Sequence, residues 1–433
     1  MTPDTPLLAD PSDLADLLDP LLDHRHKGYP GGAPALRRSR VGAQGWSVLA
    51  GDLPLPLALI KRDALAHNLG WMQRFCQAQG VGLAPHGKTT MSPQLFQRQL
   101  QAGAWGMTVA TVAQLGIAVA AGARRALIAN QVLQATDLAA IAALCGRHPG
   151  LQVVFLLDSL AQLALIEATA PAHPFEVLLE LGLPGGRTGC RHHDQALALA
   201  RAARASSAVR LVGVECYEGA LASGDSALDT AATQALMDRV HALALQCEAE
   251  GLFEAEQLIL SAGGSAIFDL VLPGLRAPLA HAVQPLLRSG CYAAHDDGFY
   301  QRLVSVVNQR LGCAQANGLQ AALEVWALVQ AVPEPGLAIL AVGKRDISYD
   351  LDLPQPRALW PAGATQAQAV PDGWRITGLN DQHAYLHTGA ASPAVGDRVV
   401  LGISHPCTTF DKWRWLPVVD DHYRVVDAVT TCF

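Results

Sequence analysis

From about residue 55 the chain alternates two kinds of text. Short apolar runs, "VGLA", "WGMTVA", "RALIAN", "LQVVFLLD", "FEVLLELG", "LVGVECY", "QLILSAG" and "PLLRSGCY", are separated by longer Ala/Leu-rich stretches. The runs have strand length and no polar alternation, as expected of strands buried on both faces. The stretches between them read as helices. In "SPQLFQRQLQAGA", Ser92 is an N-cap, Pro93 occupies the first turn and Gly103 is the stop. Eight β/α units in about 210 residues predict an α/β fold, a TIM-type (β/α)8 barrel. A doubly wound open sheet is the alternative. "LPLALI" at 55–60 precedes the count as a lead-in strand.

Outside this region the pattern changes. Leu14, Leu17, Leu18, Leu21 and Leu22 fall at helical spacing and predict a short amphipathic helix, perturbed by Pro20. Residues 28–45, rich in Gly, Pro and Arg, read as a loop. After residue 300 apolar runs such as "ALEVWALVQAV", "LAILAVG" and "RVVLGISH" are separated by Gly, Pro and Asp, with few convincing helices. The predicted organisation is an N-terminal extension over 1–54, a barrel over 55–300 and a mostly β C-terminal domain over 301–433. Residues 361–375 read as an exposed connection.

Composition narrows the function. The 433 residues are half apolar, only 16% charged, and carry a net charge of −7 with no basic block. Nucleic acid is therefore not an expected partner. The N-terminus has Asp where a secretory leader carries Lys or Arg, and the most apolar stretch, "LGIAVAAGARRALIA", is interrupted by Arg124-Arg125. Neither export nor a membrane span is expected. Nine scattered cysteines with no CxxC fit reduced thiols and a cytoplasmic location.

In a barrel the chemistry sits at the carboxyl ends of the strands. Strand one ends in His86-Gly87-Lys88, strand five offers Arg187, and strand six ends in Tyr217-Glu218-Gly219. Strand seven ends in Ser261-Ala262-Gly263-Gly264-Ser265, and strand eight in Arg288-Ser289-Gly290-Cys291-Tyr292, followed by His295 and Asp296. A lysine in such a loop is ordinarily a solvated charge. A desolvated lysine forms Schiff bases with carbonyls. Gly and Ser after strands seven and eight suit a phosphate. A lysine and a phosphate cup at one barrel mouth together suggest pyridoxal 5′-phosphate. In the β domain, "ISHPCTTFDKW" puts His405 and Cys407 two apart at a predicted strand end, where both side chains point one way. An imidazole and a thiolate suit Zn²⁺, and two ligands leave positions open for water or substrate. His383 is a candidate to complete or support this site.

The ordered motifs "PHGKT", "LQAGAWGMTVATVAQ", "GRTG", "YEG", "GGS", "SGCY" and "HPC" resemble the D-threonine aldolase and D-serine dehydratase family, whose pyridoxal-phosphate fold is alanine-racemase-like. The resemblance covers most of the chain from about residue 55. It implies that Lys88 is the Schiff-base lysine and that Arg187 approaches the cofactor's ring hydroxyl. Gly263, Gly264, Ser265, Gly290 and Tyr292 match the phosphate cup, and Ser261 and His86 join them as expected cofactor-binding residues. Tyr217 matches a tyrosine at the cofactor and substrate, and His405 and Cys407 match the metal pair. Members that resemble aldolases tend to carry His-x-Asp there, and zinc-dependent dehydratases His-x-Cys. Thr90-Met91 depart from the family's usual His and basic residue. The chain looks most like the D-serine deaminase-like subgroup.

The expectation is a pyridoxal-phosphate- and zinc-dependent lyase, removing ammonia from a D-amino acid such as D-serine, in a homodimer. A D-threonine-type aldolase and a non-catalytic pyridoxal-phosphate carrier are the alternatives. A racemase fits less well, since no tyrosine acid/base partner is evident.

Overall fold

The computed structural model describes residues 11–314 and 317–433, and the side chains from residue 15 onward. The expected absence of a leader rests on residues 1–10, which lie outside the described part, as does the side chain of Leu14. The chain folds as two compact units. Among the described residues, one comprises Met72–Lys88 and Phe96–Gly290; the other comprises the chain up to Trp71, Thr89–Leu95 and the chain from Cys291 onward.

The first unit is built on eight parallel strands. They are β1 (Gly82–Leu83), β2 (Met107–Val109), β3 (Arg125–Gln131), β4 (Gln152–Leu157), β5 (Phe175–Leu181), β6 (Val209–Cys216), β7 (Gln257–Ala262) and β8 (Ala282–Leu287). Every apolar run marked in the sequence is one of these strands. The order is β1-β8-β7-β6-β5-β4-β3-β2. The two ends of that order meet: His86 bridges Thr108 in parallel, Trp105 N–H donates to Leu83 O (2.7 Å) and Thr108 N–H to Pro85 O (2.9 Å). The sheet therefore curls closed, and an open doubly wound sheet is ruled out. Its interior is filled by Leu127, Val154, Leu156, Leu178, Val212, Ile259 and Leu286, drawn from six of the strands. Fully burying such a side chain is worth about 1.5–3 kcal/mol.

Helices complete most crossovers, and their starts are readable. Thr111 Oγ1 accepts from Gln114 N–H, Ser159 Oγ from Gln162 N–H, and Asp225 from Ala227 and Leu228 N–H. The helix Pro93–Gln101 starts behind Ser92, whose Oγ accepts from Leu95 N–H (3.4 Å), and Gly103 follows it at φ +106°. The segment between β7 and β8 forms turns instead of a regular helix.

The second unit is mostly antiparallel β structure, in a sheet of ten strands. Its long strand Leu323–Glu334 pairs with Arg398–Gly402, Leu337–Leu340 and Leu57–Lys61. The lead-in strand therefore belongs to this sheet. Trp326, Trp413 and Trp415 are fully buried here. The N-terminal leucines do not make one helix. Pro11–Leu18 is helical, but Pro20 breaks it, and Leu21–Leu22 pairs with Leu36–Arg37 as a short ribbon. Within the segment 361–375, Gln368–Ala369 adds a two-residue edge strand and Trp374 is buried. No described helix is long and apolar enough to cross a membrane.

Candidate active site

In the first unit the polar groups gather where the strands end. Past β1 the chain makes a 3-10 turn, Gly87–Thr89, that projects the exposed Lys88 side chain. Gly87 is needed there because a Cβ would approach the Phe96 ring to 2.6 Å. His86 precedes the turn. Burial, then the charges of Lys88, Arg288 and Arg187, hold its imidazole well below the ordinary range, so it is neutral near pH 7. Its Nδ1 is buried with no hydrogen-bond partner. Arg187, exposed after β5, stacks its guanidinium 4.4 Å from the centroid of the Tyr217 ring, which is 37% exposed.

The glycine turn after β7 is preformed and filled. Gly263 has φ +113°, a conformation that favours glycine. The buried Glu218 carboxylate accepts from Gly263 N–H (2.8 Å) and Gly264 N–H (2.6 Å). Burial raises its pKa, opposed by these same bonds. Two donors expected for phosphate are thus held by a carboxylate. Ser289 Oγ donates to Gly264 O (2.7 Å), and Gly290 N–H donates to Ser265 Oγ (3.4 Å), tying the turns after β7 and β8 together. Ser261 Oγ donates to Leu286 O (3.3 Å) and serves the sheet.

Beneath these groups lies a buried charge cluster that the sequence motifs do not reveal. Arg288 donates to Glu215 Oε2 and, at 2.9 Å, to Cys216 O; Glu215 is fully buried and its Oε1 has no partner. Glu180 accepts from Thr188 Oγ1 (2.8 Å) and Gln131 Nε2. Burial and the neighbouring Glu215 charge push its carboxyl up to about 7.

The second unit holds Tyr292, His405 and Cys407. Tyr292 is buried in the 3-10 turn Cys291–Ala293. The strand argument for His405 and Cys407 does not hold. The strand ends at Gly402, and Pro406 (φ −60°, ψ −44°) turns the chain into the short helix Cys407–Phe410. The two side chains instead enter different contacts. His405 Nδ1 lies 2.6 Å from Asp350 Oδ2, and Thr408 Oγ1 donates to Asp350 Oδ1 (2.6 Å). Against the cost of burial, these bonds hold the Asp350 carboxyl below its usual range. Cys407 Sγ lies 3.5 Å from Thr89 Oγ1 and 3.7 Å from Cys291 Sγ. No three His, Cys, Asp or Glu side chains converge on a metal position among the described residues, so His383 does not complete the pair. His295 and Asp296 have structural partners. Asp296 accepts from Gly298, Tyr300 and Gln301 N–H at the start of helix Phe299–Arg310, and His295 Nε2 contacts Gln301 Oε1 at 2.7 Å.

A closed parallel β/α sheet with a lysine turn after its first strand, joined to an antiparallel β unit, is the alanine-racemase type of fold. Residues 60–276 match the family "Alanine racemase, N-terminal domain", and residues 322–419 match "Putative serine dehydratase domain". The chain is 30% identical over 385 residues to D-threo-3-hydroxyaspartate dehydratase of Delftia sp. (82% of this chain, 92% of the relative). It is 27% identical over 359 residues to D-threonine aldolase of Arthrobacter sp. (82% and 86%). A solved cysteine-to-alanine variant of D-threo-3-hydroxyaspartate dehydratase, described as in the metal-free form, superposes with TM-score 0.68 at 24% identity (89% and 99%). The chain belongs to the D-threonine aldolase and D-serine dehydratase family of alanine-racemase-like, fold-type III pyridoxal-phosphate enzymes.

The residues present fit that cofactor in part. An exposed amine, a buried imidazole nitrogen without a partner and the cationic Arg187 suit an anionic aromatic aldehyde. The glycine N–H groups, held by Glu218, do not offer themselves. For a metal, the fit lies in the chemistry of the donors. A ligating histidine commonly gives its other ring nitrogen to a carboxylate, as His405 does to Asp350, and a cysteine supplies a soft sulfur.

Proposed function

We propose that this protein is a pyridoxal-phosphate- and zinc-dependent D-serine dehydratase, or a dehydratase of a closely related D-3-hydroxy amino acid, releasing ammonia and a 2-oxo acid. The observation that carries the proposal is the His405–x–Cys407 pair with Asp350 behind the imidazole. A thiolate selects zinc over magnesium or manganese, and a Lewis acid on a β-hydroxyl favours its departure. An aldolase instead needs that C–O bond to survive.

When bound, the cofactor supplies an aldehyde for covalent attachment and an electron sink for the α carbon. Lys88 would hold the aldehyde, and its amine, exposed on the 3-10 turn, is the group of this chain placed to take a proton from the substrate's α carbon. Arg187, steadied on the Tyr217 ring, would supply positive charge for the cofactor's ring oxygen. His86 stays neutral and donates no competing charge to the ring. Gly263, Gly264, Ser265, Gly290 and Tyr292 would hold the phosphate, provided that Glu218 gives up the two glycine N–H groups. His405 and Cys407 would hold the metal. The protein acts in the cytoplasm, in keeping with nine cysteines of which none is in a disulfide, and as a homodimer.

The test is an assay of the purified protein loaded with cofactor and zinc. D-Serine should yield pyruvate and ammonia, with L-serine nearly inert, and chelation should stop turnover while the cofactor's visible band remains. Glycine and acetaldehyde from D-threonine, formed faster than pyruvate from D-serine, would establish the aldolase reading instead. An active monomer by light scattering would refute the dimer.

A further inference from the structure

Cys291 is 5% exposed and starts the 3-10 turn that also carries Tyr292. Its Sγ lies 3.7 Å from Cys407 Sγ, although the two residues are 116 positions apart. The two sulfurs are not bonded to each other, since a disulfide's sulfurs sit about 2 Å apart. The distance has another meaning. Two thiolates at about 2.3 Å from one zinc ion, spread at a tetrahedral angle, lie about 3.8 Å apart. Thr89 Oγ1 sits over both sulfurs, 3.5 Å from Cys407 Sγ and 3.9 Å from Cys291 Sγ. A hydroxyl there can donate to either thiolate and fix its direction.

We propose that Cys291 binds the metal ion together with Cys407, as a preset pair of thiols held beneath the Thr89 hydroxyl that would ligate as thiolates. The proposal rests on the reading of Cys407 as a metal ligand and deepens it, because it makes the centre a two-sulfur site. Two thiolates cancel the charge of a divalent ion and raise selectivity for soft metals over Mg²⁺ and Mn²⁺.

The experiment uses the reduced full-length protein loaded with Co²⁺, whose sulfur-to-metal absorption grows with the number of coordinated thiolates. The wild-type band should match a two-thiolate standard, a comparison that needs no variant. Cys291→Ser and Cys407→Ala should each remove about half of the band, and the double variant all of it. Cys291→Ser should also weaken affinity about tenfold or more in competition with a chromophoric chelator. Cys145→Ser, elsewhere in the chain, should change neither, and circular dichroism checks that each variant is folded. A one-thiolate wild-type band, or a Cys291→Ser variant with full band and affinity while Cys407→Ala loses both, overturns the proposal and leaves the His405–Cys407 reading standing. A wild-type protein that takes up no stoichiometric metal overturns both.

Discussion

The barrel and the β unit place their chemistry by different rules. In the barrel each strand ends at one rim, so any residue after a strand is delivered to the same face. His86, Lys88, Arg187, Tyr217 and Gly263 follow from counting strands alone. In the β unit, His405 and Cys407 sit beyond the end of their strand, and a proline turns the chain between them. Their environment comes from residues remote in sequence: Asp350 for the imidazole, Cys291 and Thr89 for the thiol. Where a repeat aims the side chains, motif order suffices; where a loop does, partners appear only in three dimensions.

The largest expected effect tests whether the lysine turn is the barrel's chemical centre. Lys88→Ala should lower turnover by about a thousandfold or more and abolish covalent retention of the cofactor. Borohydride reduction and peptide mapping of the wild type should label Lys88. A label on Lys61 or Lys344 would move the centre elsewhere. Next comes the buried pair beneath it. Arg288→Met strands the Glu215 charge and should cost about 3–5 kcal/mol in denaturant unfolding. A loss under 1 kcal/mol would mean that Glu215 is already protonated in the fold.

The same contrast explains what the sequence could disclose. All eight strands were legible because parallel strands buried on both faces are continuous apolar runs between helix caps such as Ser92, Thr111 and Ser159. Helix Phe299–Arg310 lies outside the predicted elements, although Leu303, Val304 and Val307 give it an apolar stripe, because the predicted domain boundary at residue 300 cuts its start. Leu57–Lys61 was legible as a strand but not as a partner of Leu323–Glu334, since pairing at that separation leaves no local mark. Glu215 and Glu180 carry no motif of their own, and neither Glu218 within "YEG" nor Arg288 after strand eight has a role that its motif discloses. A charged residue inside or just after a buried strand was the signal available, and "VECYEG" displays it twice.

Glu180 offers a smaller effect that separates the barrel's electrostatics from the β unit's. Its carboxyl titrates at about 7 in the fold, against 4.5 for an ordinary glutamate, because of burial and the Glu215 charge. The folded protein therefore holds a proton between those values that the unfolded chain has released. The stability that this proton confers is complete below pH 4.5 and is lost as pH rises through 7. The loss is at most about 3 kcal/mol. Glu180→Gln should flatten the fall in unfolding free energy across that window. An unchanged pH profile would place the titration on another group.

The smallest effect probes the β unit alone. Asp350 Oδ2 is 2.6 Å from His405 Nδ1, and Thr408 Oγ1 holds the other oxygen at 2.6 Å. With Nδ1 engaged by a carboxylate, the ring is fixed and Nε2 is left as the nitrogen for a metal. Asp350→Asn keeps the shape but loses the charge, so the imidazole becomes a weaker donor. Metal affinity should fall about 10–100-fold in chelator competition. The cofactor's absorption should not change, because its proposed attachment at Lys88 does not involve the metal. Thr408→Val, which frees one Asp350 oxygen without removing the carboxylate, should fall between wild type and Asp350→Asn. Full metal affinity in Asp350→Asn would mean that the His405–Asp350 contact holds the loop and does not orient a ligand, and the metal would then rest on sulfur alone.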